Sequence, residues 1–430
     1  MLLFSLTLNL ISVYIITKFV LFSKFDINKS LVVFGACSLF FVKIPLLFDS
    51  AASLFTSSQY WGNYLTQANN NLLANYRALN DNCIFIASSF AFLFDCIIIV
   101  FYIFAHKFIC HSSLDNFNKK NMVIEDMMFF PWYIYFLFAI IGLLCFILNY
   151  GLDFSDFGFG YRSRHASNIN KFLLVLSPLF FSMSCPGLNL SQPKALLRYL
   201  CILFPISLIA LAVESRELYI AAIIFIIYFF ISKKIEKKIY INFVCRILGA
   251  FLFLCICANR MRKIDFKIYP IWRDFALCDY YFVIDHFQDL FNNYLAIDEL
   301  IKTGWTFIFE RGNNIELVEK IADYKFAVGW GGLHPTGYGW CYIDGGWYAL
   351  FYALFFGFVM FLSDLLQSFL DKRMAFLYTG VKITFITVFV RGSCQVAYAN
   401  FYYQTLFFIF ITLILRLLSS TKYKFPSISN

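Results

Sequence analysis

The first residues, MLLFSLTLNLISVYIITKFVLF (1–22), form one apolar stretch whose single charged side chain is Lys18. In lipid a backbone must satisfy its own hydrogen bonds, and a helix of about 20 mostly apolar residues does so while crossing the hydrocarbon. The stretch lacks a basic leader and a small-residue cleavage site, so it is expected to be a retained span and not a signal peptide. Further stretches meet the same condition near 31–48, 83–105, 128–150, 171–185, 196–213, 217–231, 239–258, 346–370, 374–390 and 401–418; those at 171–185 and 217–231 are short. The expected fold is an all-α polytopic membrane protein of about eleven transmembrane helices, with residues 1–430 making a single integral membrane domain.

Composition agrees with that pattern. The chain is 61% hydrophobic and only 14% charged, and its 57 Phe and 27 Tyr exceed what a water-soluble core houses. Lipid-facing surfaces and interfacial belts accept such rings readily. The net charge of +9 is therefore read by position, and no nucleic-acid partner follows from it. Lys24, Lys29, Lys107, Lys119, Lys120, Lys194, Arg198, Lys233, Lys234, Lys237, Lys238, Lys372, Arg373, Lys422 and Lys424 fall on one alternate set of connections, the cytoplasmic side by the positive-inside rule. The opposite short connections hold Arg77, Arg162, Arg164, Arg216 and Arg391. An outside N-terminus and an inside C-terminus follow.

Thirteen cysteines are scattered, mostly singly in apolar runs, as at Cys96, Cys145, Cys201 and Cys245, with no CxxC pair and no histidine at zinc spacing. No metal site and no cofactor is expected. Cys255 and Cys257 are one residue apart, a poor spacing for a metal, whereas Cys278 and Cys341 share one loop and could pair in an oxidising compartment.

That loop, 259–346, lies between the eighth and ninth spans and outside the cytoplasm. Its segment from Asp279 to Ala296 repeats apolar residues at Tyr280, Val283, Phe287, Leu290 and Tyr294, which predicts an amphipathic helix along the interface or capping the bundle, with His286 and Asp289 on its wet face. GWGGLHPTGYGWCYIDGGW (329–347) is rich in glycine, which permits tight turns, close approach to a ligand or plain flexibility, and it holds His334 before a proline. Arg260, Arg262, Arg273 and Arg311 add positive charge to the same face, and Arg391 is expected at the outer end of the tenth span. Arginine binds phosphate oxygens bidentately and is never deprotonated, so these side chains suit a lipid-linked diphosphate or serve as interface anchors.

Other outward segments, 49–82, 151–170 and the turn Glu214-Ser215-Arg216-Glu217, could line the same vestibule. Arg216 is either a functional charge at membrane depth or one member of a self-neutralising cluster. Inside the spans, Lys43 and Asp364 are expected to snorkel. Asp95 and Lys382 lie deeper and are expected to pair with one another as a structural lock.

ESRELYIAAIIFIIYFFISKK, KTGWTFIF and HPTGYGWCYIDGGWYALFYALFFGFVMFL resemble the Ser-Arg segment, the outer loop and the following span of the Wzy-type O-antigen and capsular repeat-unit polymerases. The resemblance covers about the second half of the chain. Asp344-Gly345-Gly346-Trp347-Tyr348 stands where that family shows an acidic residue, a tyrosine and Asn-Phe-Gly. The resemblance implies a GT-C-like membrane glycosyltransferase of the bacterial inner membrane, N-terminus periplasmic and C-terminus cytoplasmic. Its substrate would be an undecaprenyl-diphosphate-linked glycan, with a chain-length regulator and a flippase as partners. It implies His334 and Arg216 as catalytic residues and Arg273, Arg311, Arg391 and Arg260 as substrate-binding ones. Arginines would offset charge developing on the leaving diphosphate, and a base would take the proton of the attacking hydroxyl.

Three rivals stand beside that reading. A lipid-linked oligosaccharide flippase would show shorter loops and charges spread inside the bundle. An O-antigen ligase would share the donor and differ in the acceptor, and a structural or adhesive membrane protein would have no use for converging arginines and glycines.

Overall fold

The computed structural model describes residues 1–22, 29–55, 81–109, 277–285, 336–343, 345–370, 372–392 and 394–422, with single positions at 136, 137, 140, 144 and 287. Every element there is helical. α1 is Leu2–Phe22, α2 is Ser30–Ser38, a π-helical turn covers Leu39–Lys43, and α3 is Ile44–Phe55. α4 is Asp81–Ile109, α5 is Cys278–Asp285 and α6 is Thr336–Ile343. A 3₁₀ turn at Gly346–Ala349 leads into α7, Leu350–Phe369, followed by α8, Lys372–Arg391, and α9, Cys394–Lys422.

Four stretches are long and apolar enough to cross a membrane: Leu2–Val20, Ser30–Ala51, Asp81–Lys107 and Gly346–Phe369. They agree with the expected spans at 1–22, 31–48, 83–105 and 346–370, and α8 and α9 cover those expected at 374–390 and 401–418. The chain is an all-α membrane-embedded protein. The expected spans at 128–150, 171–185, 196–213, 217–231 and 239–258 lie outside the described residues.

α4 is the hub, packing against α1, α3, α5, α6 and α7, while α8 packs against α2, α6, α7 and α9. One aromatic layer ties them. Phe356 of α7 stacks on Phe389 of α8 at 3.8 Å between centroids and meets Phe34 of α2 at 5.7 Å. Phe389 also stacks on Phe94 of α4 at 6.2 Å. Rings at these separations contribute about 0.5–1.5 kcal/mol per pair beyond their burial.

Pro45 explains the π turn. Proline has no N–H to give, and its ring clashes with the carbonyl four residues back. The turn just before it widens, and the Ile44 N–H bonds Leu39 O, five residues earlier. Because α3 continues to Phe55, Lys43 stands mid-helix and not near a helix end. Asp49, expected to open a polar outer segment, is instead a buried residue of α3.

Candidate functional site

Three polar positions on α4, Ser88, Asp95 and Tyr102, are spaced by seven residues and so share a face, about 10 Å apart along the axis. All three are buried. Each meets a different set of helices.

At the middle level, Asp95 lies half-way along Asp81–Lys107. Lys43 Nζ stands 3.0 Å from its carboxylate, the Ser38 hydroxyl donates to it at 2.9 Å and the Tyr338 hydroxyl at 2.7 Å. Ser38 and Tyr338 are themselves 3.0 Å apart, and Lys43 lies over the Tyr338 ring at 5.9 Å from its centroid. This centre joins α2, the π turn, α4 and α6.

At one end, Asp364 of α7 accepts from Lys382 at 2.6 Å, from the Ser30 hydroxyl at 2.6 Å, from the Ser30 backbone N–H at 3.0 Å, and from Tyr102. Lys382 also donates to Gln367, whose amide donates to Ala375 O at 2.7 Å and to the Thr379 hydroxyl at 2.8 Å. The carboxylate sits at the start of α2, where a negative charge also meets the favourable end of the helix dipole.

At the other end, the Asn9 amide nitrogen lies 3.0 Å from both Ser50 Oγ and Ser88 Oγ and 3.3 Å from Leu46 O, and its two hydrogens are shared among these acceptors, joining α1, α3 and α4. Nearby in the chain, Asp49 accepts from the Tyr281 hydroxyl at 2.7 Å, which ties α3 to α5.

These contacts correct two expectations. Lys43 and Asp364 do not snorkel; both are buried in the bundle. Asp95 and Lys382 do not pair with one another, because α4 meets the π turn at the level of Asp95 while α8 meets α7 at the level of Lys382. The charges form two separate neutral pairs.

The described part of the 279–296 segment falls in α5, which packs against α4 and α6. Tyr280, Tyr281, Val283 and Ile284 are all buried, and the Tyr280 hydroxyl donates to Ala87 O at 3.1 Å. His286 and Asp289 lie outside the described residues, and Cys341 is buried.

Within the glycine-rich segment the composition hides a helix. Thr336 to Ile343 is a helix with every residue buried. A Cβ on Gly337 would stand 2.4 Å from Phe389 O, so glycine is needed there for α6 to reach α8. Thr336 has φ 68°, an outlier for a β-branched residue, and its hydroxyl accepts the Gly339 N–H at 3.4 Å. Such strain persists only where surrounding packing over-determines it.

Arg391 ends α8 as expected, but that end is deep. Phe389 stacks on Phe94, so roughly 20 Å of α4, from Phe94 back to Asp81, extends past the last turn of α8. Arg391 is 8% exposed, with its guanidinium 5.7 Å from the Phe41 ring centroid. α6 fills part of the space left by the short hairpin of α8 and α9, starting beside Phe389 and running toward Phe90 and Trp347, which Tyr342 meets at 5.0 Å and 6.4 Å. A buried arginine at this depth is costly unless it is paired or used.

His334, Arg216, Arg273, Arg311 and Arg260 lie outside the described residues, and Arg391 is the candidate that falls within them. Among the described residues no cluster of three or more His, Cys, Asp and Glu is placed to hold a metal ion. No family model, curated protein or solved structure matches the chain. The participants that sequence reasoning missed are Ser38 and Tyr338 around Asp95 and Ser30, Tyr102 and Gln367 around Asp364 and Lys382; the seven-residue spacing of Ser88, Asp95 and Tyr102 on α4 was the signal for Tyr102.

Proposed function

We propose that the chain polymerises undecaprenyl-diphosphate-linked oligosaccharide repeat units into a surface polysaccharide at the outer face of the bacterial inner membrane. The observation that carries this reading is Arg391, buried at membrane depth beside α6, the helix that begins two residues after His334. A diphosphate headgroup is a membrane-level dianion or more, and an arginine there binds it bidentately in a medium where charge pairing is strong. Arg216, Arg260, Arg273 and Arg311 would complete the anion cradle, and His334 would take the proton of the attacking sugar hydroxyl. The bond broken joins the growing glycan to its diphosphate, which leaves with the electron pair. The bond formed joins that glycan to the acceptor hydroxyl.

Purified protein supplied with lipid-diphosphate repeat units alone tests the reading. A ladder of glycan chains is expected from the wild type, and only single units from His334→Ala and Arg391→Ala. Absence of a ladder from an intact, folded wild type rejects polymerase activity; transfer that appears only when a separate lipid acceptor is added points to a ligase.

The flippase reading is favoured by one observation, the pairs Lys43–Asp95 and Lys382–Asp364 inside the bundle. Phenotype separates the two. Loss of a flippase leaves no surface glycan, whereas loss of a polymerase leaves one repeat unit on the carrier or its final acceptor.

A further inference from the structure

The Asp95 centre reaches the same short helix that follows His334. Tyr338 is the third residue of α6, fully buried, with its ring 5.1 Å from that of Phe94 and its hydroxyl 2.7 Å from Asp95. Three further features converge on the start of α6: the left-handed backbone at Thr336, the glycine contact of Gly337 with Phe389 O, and the π turn that aims Lys43 at Asp95. π turns inside helices are rare and occur often at functional sites. A β-branched residue with positive φ holds that backbone only if the neighbouring contacts fix it. The hydrogen bond from Tyr338 to Asp95 joins α6 to the hub helix.

We propose that Tyr338 and Asp95 are positioning residues: their hydrogen bond, braced by Lys43 and Ser38, fixes the start of α6 against the hub helix, and chain elongation depends on that placement. This rests on the polymerase reading for its kinetic consequence, though not for its structural one. Lys43 neutralises the Asp95 carboxylate, Ser38 occupies the oxygen facing α2, and the remaining oxygen is held for the phenol of α6. Misplacing a reacting group by about 1 Å can cost about a hundredfold in rate, so a single lost hydroxyl at this point has a measurable effect.

The test compares Tyr338→Phe with Tyr102→Phe in the full-length protein in nanodiscs. Both remove one buried phenolic hydroxyl that donates to a carboxylate from or onto α4, and only the first touches α6. Tyr338→Phe is expected to lower kcat for chain elongation by about ten- to a hundredfold with KM for the lipid-linked unit within about twofold of wild type. Tyr102→Phe is expected to keep kcat while losing similar thermal stability. Hydrogen exchange supplies the arm independent of activity: Tyr338→Phe should raise exchange in the peptide covering 328–343, and Tyr102→Phe should not. Equal falls in kcat for both variants, or unchanged exchange at 328–343 in Tyr338→Phe, overturn the positioning role. If the wild type makes no polymer, the polymerase reading fails and the exchange comparison alone decides the structural claim.

Discussion

Asp95 and Asp364 share a chemistry and differ in what they hold. Each is a buried carboxylate paired with a lysine and bonded by a serine and a tyrosine. Asp364 additionally accepts a backbone N–H at the start of α2 and lies among α2, α4, α7 and α8, all long elements or their beginnings. Among the described residues no backbone N–H donates to the Asp95 carboxylate, which spends one of its bonds on α6, an eight-residue helix with a strained first residue. The first centre is a helix lock; the second couples the lock to a segment that is otherwise short and glycine-rich. Identical polar chemistry can thus stabilise a bundle in one place and aim a neighbouring segment in another.

Removing the lysines separates the two centres most sharply. Breaking a buried pair leaves an uncompensated charge and costs about 3–5 kcal/mol. Lys43→Met is expected at the upper end, because only two hydroxyls remain on Asp95, and Lys382→Met at the lower end, because Asp364 keeps a backbone N–H, two hydroxyls and the α2 dipole. Unfolding in detergent measures both, and the reverse order would remove the distinction drawn between the centres.

The double variant Lys43→Met/Asp95→Leu should recover most of the Lys43→Met loss, coming within about 2 kcal/mol of wild type. Ser38 and Tyr338, already 3.0 Å apart, can then bond one another. A strictly additive loss would show that the carboxylate itself is needed for α6 to dock.

Gly337→Ala should cost about 1–3 kcal/mol, since its Cβ meets a backbone oxygen at 2.4 Å and neither helix can yield cheaply. Gly35→Ala is the matched small effect: its Cβ would stand 3.2 Å from Val20 Cγ2, so a methyl group and not a backbone oxygen has to give by a few tenths of an ångström, and alanine is the better helix former. A change within about 1 kcal/mol of wild type is expected there. Equal destabilisation by the two would mean that α6 has no special closeness to α8.

Much of the helical architecture was legible before any coordinates. The spans at 1–22, 83–105 and 346–370 were legible because lipid forces a long apolar helix to declare itself in composition. The depth of Lys43 is not legible in composition: the apolar stretch ends at 48, near enough for a lysine to snorkel, whereas the helix runs to Phe55. Depth along a helix, and not hydropathy, decides whether a lysine reaches water. Arg391 was legible as a helix end and a candidate anion ligand, but its depth was not, because nothing local says that the α8 and α9 hairpin turns at the level of Phe94. The glycine-rich stretch was open between ligand approach and flexibility; at Gly337 the use is helix packing.

By itself the sequence determined that this chain lives in a membrane as helices, since apolar length and the need to satisfy backbone hydrogen bonds leave no other choice. It also determined that Asp95 and Lys382 lie too deep to go unpaired, since an unpaired charge at such depth is costly, while Lys43 and Asp364 read as near enough to a span end to snorkel. Only the tertiary structure decided which charge meets which. Pairing depends on helix adjacency, on the rotation imposed by the π turn before Pro45, and on level along the bundle. Those quantities arise from packing between segments far apart in the chain, and no local pattern encodes them.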